Sequence, residues 1–467
     1  MDDLDLTALT AAEIVARVHD GRSSAVDVAR AHLARIAERD ATVGAFQAHD
    51  AQRVLAEATG VDQRADRFAL PLAGVPVAVK DTIDVSGYAT RRGSAATSTE
   101  LAKRDDELVK RLRAAGAVVM GKTRMPELAA WSFGQSPLGT TRNPLDETAD
   151  PGGSSSGSAA AVAAGMATLA LGTDGGGSVR IPAAHCGLVG LKPGAGVLPL
   201  PGGAEEHWCG LTVTGSIARS AEDAALMLEV LSGRAAADVD DGWPAGVALS
   251  LRNPTPFGRL HPDQQAAAVG AAARLRACGP GTPGASVTLA DPPYPRQVLR
   301  LWARRWQAGI AQDVADLGLG TPDPDDPFRG ELEPRTATAA RRGRRILRYA
   351  PPRARAAQAW RERFLAWLDA GGHDLLITPA VAGPPGPAGA LQDRRYLSTV
   401  LHAAPQAAYT HAWNLAGLPA VVASVMVRDR PIGVQLVGRP GDEHRLLAAA
   451  ARLEGRKVPE AVGARAR

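Results

Sequence analysis

The sequence predicts an α/β protein in which helices cover both faces of one large, mixed and twisted β-sheet. Short apolar stretches of strand length alternate with helical stretches up to about residue 230, which is typical of a sheet with helices on both sides. Strand-like stretches return near residues 375 and 420. The chain has 467 residues, 45% of them hydrophobic and 22% charged, so it can bury a large core without cross-links.

The N-terminal residues 6–58 are predicted to be helical, because apolar residues recur there at three- and four-residue spacing. Ser24 is the predicted N-cap of one of these helices, since its hydroxyl can accept a hydrogen bond from a free N–H group. From Leu70 the pattern changes, and residues 72–79 form a predicted buried strand that ends at Lys80.

The next stretch predicts a helix followed by strands. Residues 105–115 are amphipathic and predict a helix, which Gly116 closes at its C-terminal end. Residues 117–120 and 167–171 are short and apolar and predict strands of the same sheet.

We expect a single domain that spans residues 1–467, in four parts. An N-terminal helical segment (1–65) precedes the core (66–232), and a C-terminal part (376–467) completes the sheet. Residues 233–375 are rich in Arg, Pro, Ala and Asp and contain clusters of turn residues. They predict a variable helical insertion between the two parts of the sheet.

Charge and cysteine content exclude several classes of protein. The 53 basic and 49 acidic residues leave a net charge of +4, which does not indicate nucleic-acid binding. Three cysteines without C-x-x-C spacing are too few for a disulfide framework or a zinc site, so we expect no metal and no cofactor. The acidic N-terminus is unlike a secretory signal, and the longest run of small apolar residues, 159–171, is too short to span a bilayer. We therefore expect a cytoplasmic enzyme with no membrane partner.

Two motifs match known patterns in the wrong structural context. Residues 116–123 fit the phosphate-loop pattern G-x-x-x-x-G-K-T, but a predicted helix precedes them and the residues between the glycines predict a strand. Residues 153–157 fit the nucleophile elbow G-x-S-x-G, but that elbow directly follows a strand, whereas residues 150–152 predict a turn. We therefore favour neither nucleotide binding nor an α/β-hydrolase fold.

Two loops rich in glycine and serine remain, at residues 151–158 and 172–182. In the second loop three successive glycines precede Ser178. They let the backbone turn sharply and can direct their N–H groups at a developing oxyanion. Ser178 is therefore a candidate nucleophile for attack on a carbonyl carbon.

A serine nucleophile needs a base, and the ten histidines are scattered, with only His185 near the two loops. The alternative base is a lysine made neutral by burial, and Lys80 ends a strongly apolar strand. From a reference pKa of about 10.4, deprotonation at neutral pH costs roughly 4–5 kcal/mol, so desolvation must supply the shift.

The two loops are part of a wider pattern. It consists of residues 74–81, 121–127, 152–158, 172–178 with Arg180, 186–193, 414–420 and 433–440. Together these segments resemble the amidase signature family, with a likeness that covers residues 65–230 and 370–455. The resemblance implies the α/β fold described above, with residues 66–232 as the signature core.

The resemblance also implies a Ser–cis-Ser–Lys triad. In this chain Ser178 is then the acylated nucleophile, Ser154 the bridging serine that follows a cis peptide bond, and Lys80 the base. The other implied positions are an oxyanion hole at Gly175, Gly176 and Gly177, supporting roles for Asp174, Arg180 and Ser155, and substrate-binding residues Ala129, Trp131 and Phe133.

Several of these residues also have a simpler structural explanation. Ser154 and Ser178 could each cap a helix, and Lys80 could extend its amine toward solvent from a strand end. Trp131 and Phe133 could pack in the core rather than against a substrate.

The resemblance implies hydrolysis of a small-molecule carboxylic amide to an acid plus ammonia or an amine, through an acyl-enzyme. A homodimer is a possible assembly, since dimers occur in the family. One alternative is the glutaminase subunit of a tRNA-dependent amidotransferase, although Ile181 stands where that subunit usually has glutamine. Another is a catalytically silent scaffold on the same fold, which predicts loss of triad residues that this chain retains.

Overall fold

The computed structural model describes residues 5–234, 243–277, 284–319 and 331–454. Cys278 lies outside these ranges, and the other two cysteines, Cys186 and Cys209, are free thiols. The strands are β1 (Phe46–Ala48), β2 (Pro76–Lys80), β3 (Val118–Thr123), β4 (Gln135–Ser136), β5 (Gly139–Thr140), β6 (Leu169–Asp174), β7 (Val189–Lys192), β8 (Val213–Ala218), β9 (Gly246–Leu249), β10 (Ser286–Leu289), β11 (Leu375–Pro379), β12 (Ala420–Val427) and β13 (Arg430–Val437).

Helices flank the large sheet that these strands form, except for β4 and β5, which pair only with each other. The helices are α1 (Ala11–His19), α2 (Ala25–Val43), α3 (Ala51–Gln63), α4 (Glu107–Ala114), α5 (Ser156–Ala163), α6 (Arg180–His185), α7 (Ala221–Ser232), α8 (Pro262–Arg276), α9 (Val298–Asp316), α10 (Pro334–Tyr349), α11 (Ala354–Gly371), α12 (Tyr396–Ala403), α13 (His411–Ala416) and α14 (Glu443–Leu453).

One sheet of eleven strands dominates the described residues, in the order β1–β3–β2–β6–β8–β7–β12–β13–β11–β9–β10. Strands β3, β2 and β6 are parallel, and so are β11, β9 and β10. The strands between these groups pair antiparallel. The predicted α/β fold with a mixed sheet is therefore confirmed.

The N-terminal elements follow the sequence patterns closely. Ser24 caps α2, because its hydroxyl accepts from the N–H of Asp27 while the Asp27 carboxylate accepts from the N–H of Ser24. Gly116 follows α4 with φ +91°, a conformation that favours glycine. The predicted helical stretch 6–58 contains one element that periodicity missed, the short strand β1, which pairs antiparallel with β3.

The segment 233–375 is not purely helical, which corrects the sequence interpretation. It supplies β9 and β10, which extend the main sheet beyond β11. Strand β10 is largely exposed, so it lacks the apolar pattern by which a buried strand is recognised. Helices α9 and α10 of this segment pack against each other, and α9 borders the candidate active site.

The structure also bears out both motif rejections. The residues between Gly116 and Thr123 belong to β3, with α4 before them, and Lys122 forms a buried ion pair with Asp81 at 2.9 Å. A bend, not a strand, precedes Ser154. Neither motif therefore has the strand–loop–helix order that its chemistry requires.

Candidate active site

Ser154 enters the site through a cis peptide bond between Gly153 and Ser154. A Cβ atom at position 153 would lie 2.5 Å from the carbonyl oxygen of Phe133, so the close approach of the two chain segments requires glycine. Helix α5 begins two residues later, with Ser155 at its N-cap position. Ser154 is fully buried and does not cap this helix, so the capping explanation is wrong for Ser154.

Lys80 lies at the end of β2 with no exposed surface. Its Nζ atom is 2.8 Å from Ser154 Oγ, 3.0 Å from Thr173 Oγ1 and 3.3 Å from the Thr173 carbonyl oxygen. Burial lowers the pKa of Lys80 to about 7, although the Asp174 carboxylate acts in the opposite direction. The amine therefore points inward and does not extend to solvent as the simpler structural explanation required.

Ser178 ends the turn that follows β6, and the structure brings it next to the Ser154 loop. The N–H of Ser155 donates to the carbonyl oxygen of Ser178 at 3.0 Å, which fixes one loop against the other. The side chains of Ser154 and Ser178 line the same cavity of about 190 Å³. The N-cap of α6 is Val179, so Ser178 is not a capping residue either.

Asp174 and Arg180 form a fully buried ion pair beneath this turn. The Asp174 carboxylate accepts from Arg180 Nε at 2.9 Å and Nη2 at 3.0 Å, and from the N–H groups of Gly177 at 2.7 Å and Val179 at 3.2 Å. Burial alone would raise the pKa of Asp174, but the charge and hydrogen bonds of Arg180 outweigh it and hold the pKa well below its usual value. The pair thus organises the turn and does not reach the cavity.

One implied oxyanion donor needs correction. The N–H of Gly177 already donates to Asp174, so it is not free to bind a developing oxyanion. Among the hydrogen bonds of the described residues, none uses the backbone N–H of Gly175, Gly176 or Ser178. These three groups are the candidate oxyanion donors.

Ser155 also contacts the second loop, through its side chain. Its hydroxyl donates to the Thr173 carbonyl oxygen at 3.4 Å, so the bond crosses from one loop to the other. Ser155 therefore makes two cross-loop contacts, one from its backbone and one from its hydroxyl, and its supporting role stays a prediction.

Sequence reasoning missed further residues that hold the turn. Asn414 and Gln435 accept hydrogen bonds from Arg180, each at 2.6 Å, and the Thr410 carbonyl oxygen accepts another at 3.0 Å. Asn414 and Gln435 lie within segments that carry the family resemblance, so the sequence did contain a sign of their importance. Thr173, which contacts Lys80, likewise lies within a resembling segment, residues 172–178.

Ser178 lies where two cavities meet. The first, which we call the polar arm, is the 190 Å³ cavity that also contains Ser154, and more than half of its lining residues are polar or charged. The second, the apolar arm, is a cavity of about 170 Å³ lined mainly by aromatic and aliphatic side chains. Ala129 and Trp208 line both arms. The polar lining residues of the polar arm are Thr82, Arg92, Ser154, Thr173, Ser178, His207, Thr212, Asp313 and Asp316, and the larger residues of the apolar arm are Trp131, Ile181, Phe257, Leu299, Trp302, Trp306, Tyr396 and Val400.

The structure separates the three implied substrate-binding residues. Ala129 lines both arms and Trp131 lines the apolar arm. Phe133 stacks on Trp131 with ring centroids 6.0 Å apart, but it faces a different cavity. The substrate contact expected of Phe133 therefore stays a prediction, since Phe133 lines neither arm.

His185 is not placed to act as a base. It lines the same separate cavity as Phe133, and its Nε2 atom lies 2.8 Å from Gln406 Oε1. Burial lowers the pKa of His185 to about 4. Among the described residues, no group of three or more His, Cys, Asp or Glu side chains could hold a metal ion, and no helix is long and apolar enough to cross a membrane.

Comparisons with known proteins agree with this architecture. The family model Amidase matches residues 27–447, so the chain belongs to the amidase family and is a hydrolase that acts on C–N amide bonds. AmiB2 of Mycobacterium tuberculosis, a protein assigned as an amidase, is 41% identical over 97% of both chains. One subunit of the glutamyl-tRNA(Gln) amidotransferase of Thermus thermophilus is 35% identical over 96% of this chain and 97% of that protein.

A solved structure extends the likeness to the whole fold. The structure of 6-aminohexanoate cyclic dimer hydrolase with its substrate has a TM-score of 0.83 and 30% identity, and the alignment covers 98% of both chains. The 233–375 segment, where the sequence resemblance was weak, is therefore included in the structural match.

Proposed function

We propose that this enzyme hydrolyses small-molecule carboxylic amides through an acyl-enzyme on Ser178, with Ser154 as proton relay and Lys80 as base. The observation that carries the proposal is the 2.8 Å contact between the buried Lys80 amine and Ser154, in a cavity that Ser178 shares. A lysine with a pKa of about 7 is substantially neutral at neutral pH and can accept a proton.

The acylation step follows from these positions. Lys80 takes the Ser154 proton while Ser154 takes the Ser178 proton, and Ser178 Oγ forms a bond to the amide carbon. The backbone N–H groups of Gly175, Gly176 and Ser178 stabilise the oxyanion. The C–N bond then breaks, and the nitrogen leaves with a proton from Ser154, which regains one from Lys80.

Deacylation repeats the same proton path with water as the nucleophile. Water gives a proton to Ser154, its oxygen bonds to the acyl carbon, and the bond from that carbon to Ser178 Oγ breaks. Ser178 recovers its proton through Ser154, and the carboxylic acid is released. No group other than the three side chains and the backbone donors is needed.

The lining of the two arms indicates where the leaving amine and the acyl group of the substrate bind. Ser154 gives its proton to the leaving nitrogen, and Ser154 lines only the polar arm. The leaving amine therefore occupies the polar arm, and the acyl group extends into the apolar arm. Aromatic walls such as Trp302 and Trp306 favour an aryl or medium-chain alkyl acyl group.

The lining of the apolar arm argues against the glutaminase alternative. A glutamine substrate donates a γ-glutamyl acyl group, whose charged α-amine and α-carboxylate need polar or ionic partners when buried. The residues that line this arm include no Asp, Glu, Lys or Arg within the described part of the chain. Retention of all three triad residues argues likewise against a silent scaffold.

The test is labelling and turnover of matched variants. A fluorophosphonate probe should add its mass to Ser178 in the wild-type protein, and Ser178→Ala should lose both labelling and amide hydrolysis while its melting temperature stays unchanged. Ser156→Ala, in the loop of Ser154 but outside the proposed triad, is the control and should label normally. An active Ser178→Ala protein would refute the proposal.

A further inference from the structure

The orientation of an oxyanion donor depends on the far side of its peptide bond. A peptide unit is planar, so the carbonyl of one residue and the N–H of the next point in opposite directions within one plane. A hydrogen bond to the carbonyl therefore also fixes the direction of the following N–H. This link matters where N–H groups must be aimed before the reaction starts.

All five carbonyl groups of the nucleophile turn, residues 174–178, accept a hydrogen bond. The donors are Asn414 Nδ2 to Asp174 at 2.8 Å, Trp302 Nε1 to Gly175 at 2.9 Å, Thr410 Oγ1 to Gly176 at 2.6 Å, the N–H of Ile181 to Gly177 at 2.7 Å and the N–H of Ser155 to Ser178 at 3.0 Å. Every peptide plane of the turn is thus held from its carbonyl side.

Trp302 differs from the other four donors in its origin and position. It lies on α9, in the segment 233–375 where the sequence resemblance is weak, and its ring lines the apolar arm. The indole is also in close contact with the turn, since a Cβ atom on Gly176 would lie 2.6 Å from Trp302 Cζ2. The ring of Trp302 therefore lines the apolar arm, while its N–H group holds the nucleophile turn through the Gly175 carbonyl.

The peptide plane that Trp302 holds joins the Gly175 carbonyl to the Gly176 N–H, a candidate oxyanion donor. We propose that Trp302 is a positioning residue that aims the Gly176 N–H at the oxyanion and so couples the apolar arm to the catalytic turn. This inference rests on the proposed function, because it assigns a supporting residue to that reaction.

The experiment compares two variants that lack the indole N–H. Trp302→Phe removes the donor, and replacement of Trp302 by 3-benzothienylalanine exchanges N–H for sulfur with little change in ring shape. Loss of an entire oxyanion donor costs about 100- to 1000-fold in kcat, so a misaligned donor should cost roughly 10- to 100-fold. We expect this fall in kcat for hexanoyl para-nitroanilide in both variants, with an equal slowing of fluorophosphonate labelling. KM should change less than about twofold in the 3-benzothienylalanine variant, which keeps the ring, and should rise in Trp302→Phe, which loses part of the arm's wall.

Trp306→Phe is the matched control. Trp306 lies on the same helix, lines the same arm and stacks on Trp302 with ring centroids 5.6 Å apart, but its Nε1 donates to the Ala130 carbonyl oxygen at 3.0 Å. Trp306→Phe should raise KM for the hexanoyl substrate as Trp302→Phe does, because both remove part of the arm's wall, but it should lower kcat and the labelling rate far less than the two Trp302 variants.

The possible outcomes separate this inference from the proposed function. Wild-type protein that neither turns over nor labels contradicts the proposed function itself. Wild-type protein that labels, together with a 3-benzothienylalanine variant that labels at the same rate, overturns the role of Trp302 alone. Equal effects of Trp302→Phe and Trp306→Phe on kcat also overturn it, since the two would then act only through packing.

Discussion

Lys80 is one of three fully buried lysines in the described part of the chain, and its surroundings differ from those of the other two. Lys122 is paired with the Asp81 carboxylate at 2.9 Å, whereas Lys80 contacts only hydroxyl and carbonyl oxygens. Burial lowers the pKa of Lys192 to about 7 as well, but its amine donates to the Pro193 carbonyl and does not line either arm. Of the three lysines, only Lys80 has both a pKa near 7 and a hydrogen bond to a serine, Ser154, that lines the polar arm.

The pH dependence of the reaction tests this assignment. The base must be neutral, so kcat/KM should rise as pH increases through about 7, the pKa of Lys80, and then level off. The measurement is kcat/KM for hexanoyl para-nitroanilide between about pH 5 and 9, a range chosen to bracket that pKa.

Lys192→Met is the control for the pH profile, because Lys192 titrates in the same range. This variant should keep the inflection, whereas Lys80→Met should be inactive across the range. An inflection that disappears in Lys192→Met would assign the titrating group to Lys192 and contradict the role of Lys80.

At the scale of elements, sequence reasoning predicted what depends on local pattern. The strand before Lys80, the cap at Ser24 and the two glycine–serine loops are all marked by residues close together in the chain. The contacts of Arg180 with Asn414 and Gln435 join positions more than 230 residues apart, so no local pattern specifies their geometry. The same is true of Trp302, whose role depends on where α9 packs.

The Arg180 network predicts a large loss of stability on a conservative change. Lysine at position 180 cannot reproduce the bidentate pairing with Asp174 and the further bonds to Asn414 and Gln435, and it leaves buried acceptors without donors. Arg180→Lys should lower the free energy of unfolding by about 3–5 kcal/mol, measured by urea denaturation.

Arg30→Lys is the control for this prediction. Arg30 pairs with Asp27 at 3.9 Å, with both side chains more than half exposed, so the change should alter stability by less than about 0.5 kcal/mol. Equal urea midpoints for the two variants would show that the buried network does not stabilise the fold.

At the scale of the whole molecule, the 233–375 segment supplies one wall of the apolar arm, mainly through α9, while the signature core supplies the proposed triad. Ala303 lies on α9 and lines the apolar arm. Ala303→Phe should fill part of this arm and lower kcat/KM for hexanoyl para-nitroanilide more than about tenfold, with little effect on the acetyl analogue.

The ratio of the two kcat/KM values is the measurement, and the fluorophosphonate labelling rate is its control. Labelling should stay near the wild-type rate, because the triad is untouched. An equal loss with both substrates would mean that the acyl group does not occupy the apolar arm.

Trp302 both lines the apolar arm and donates a hydrogen bond to the Gly175 carbonyl, and this has a consequence for redesign. A chimera that takes helix α9 from a relative to change substrate preference also replaces Trp302, the donor that holds the Gly175 carbonyl. A chimera without an N–H donor at that place should accept its new substrate and yet turn it over slowly. Retaining tryptophan at position 302 in such chimeras should restore the rate.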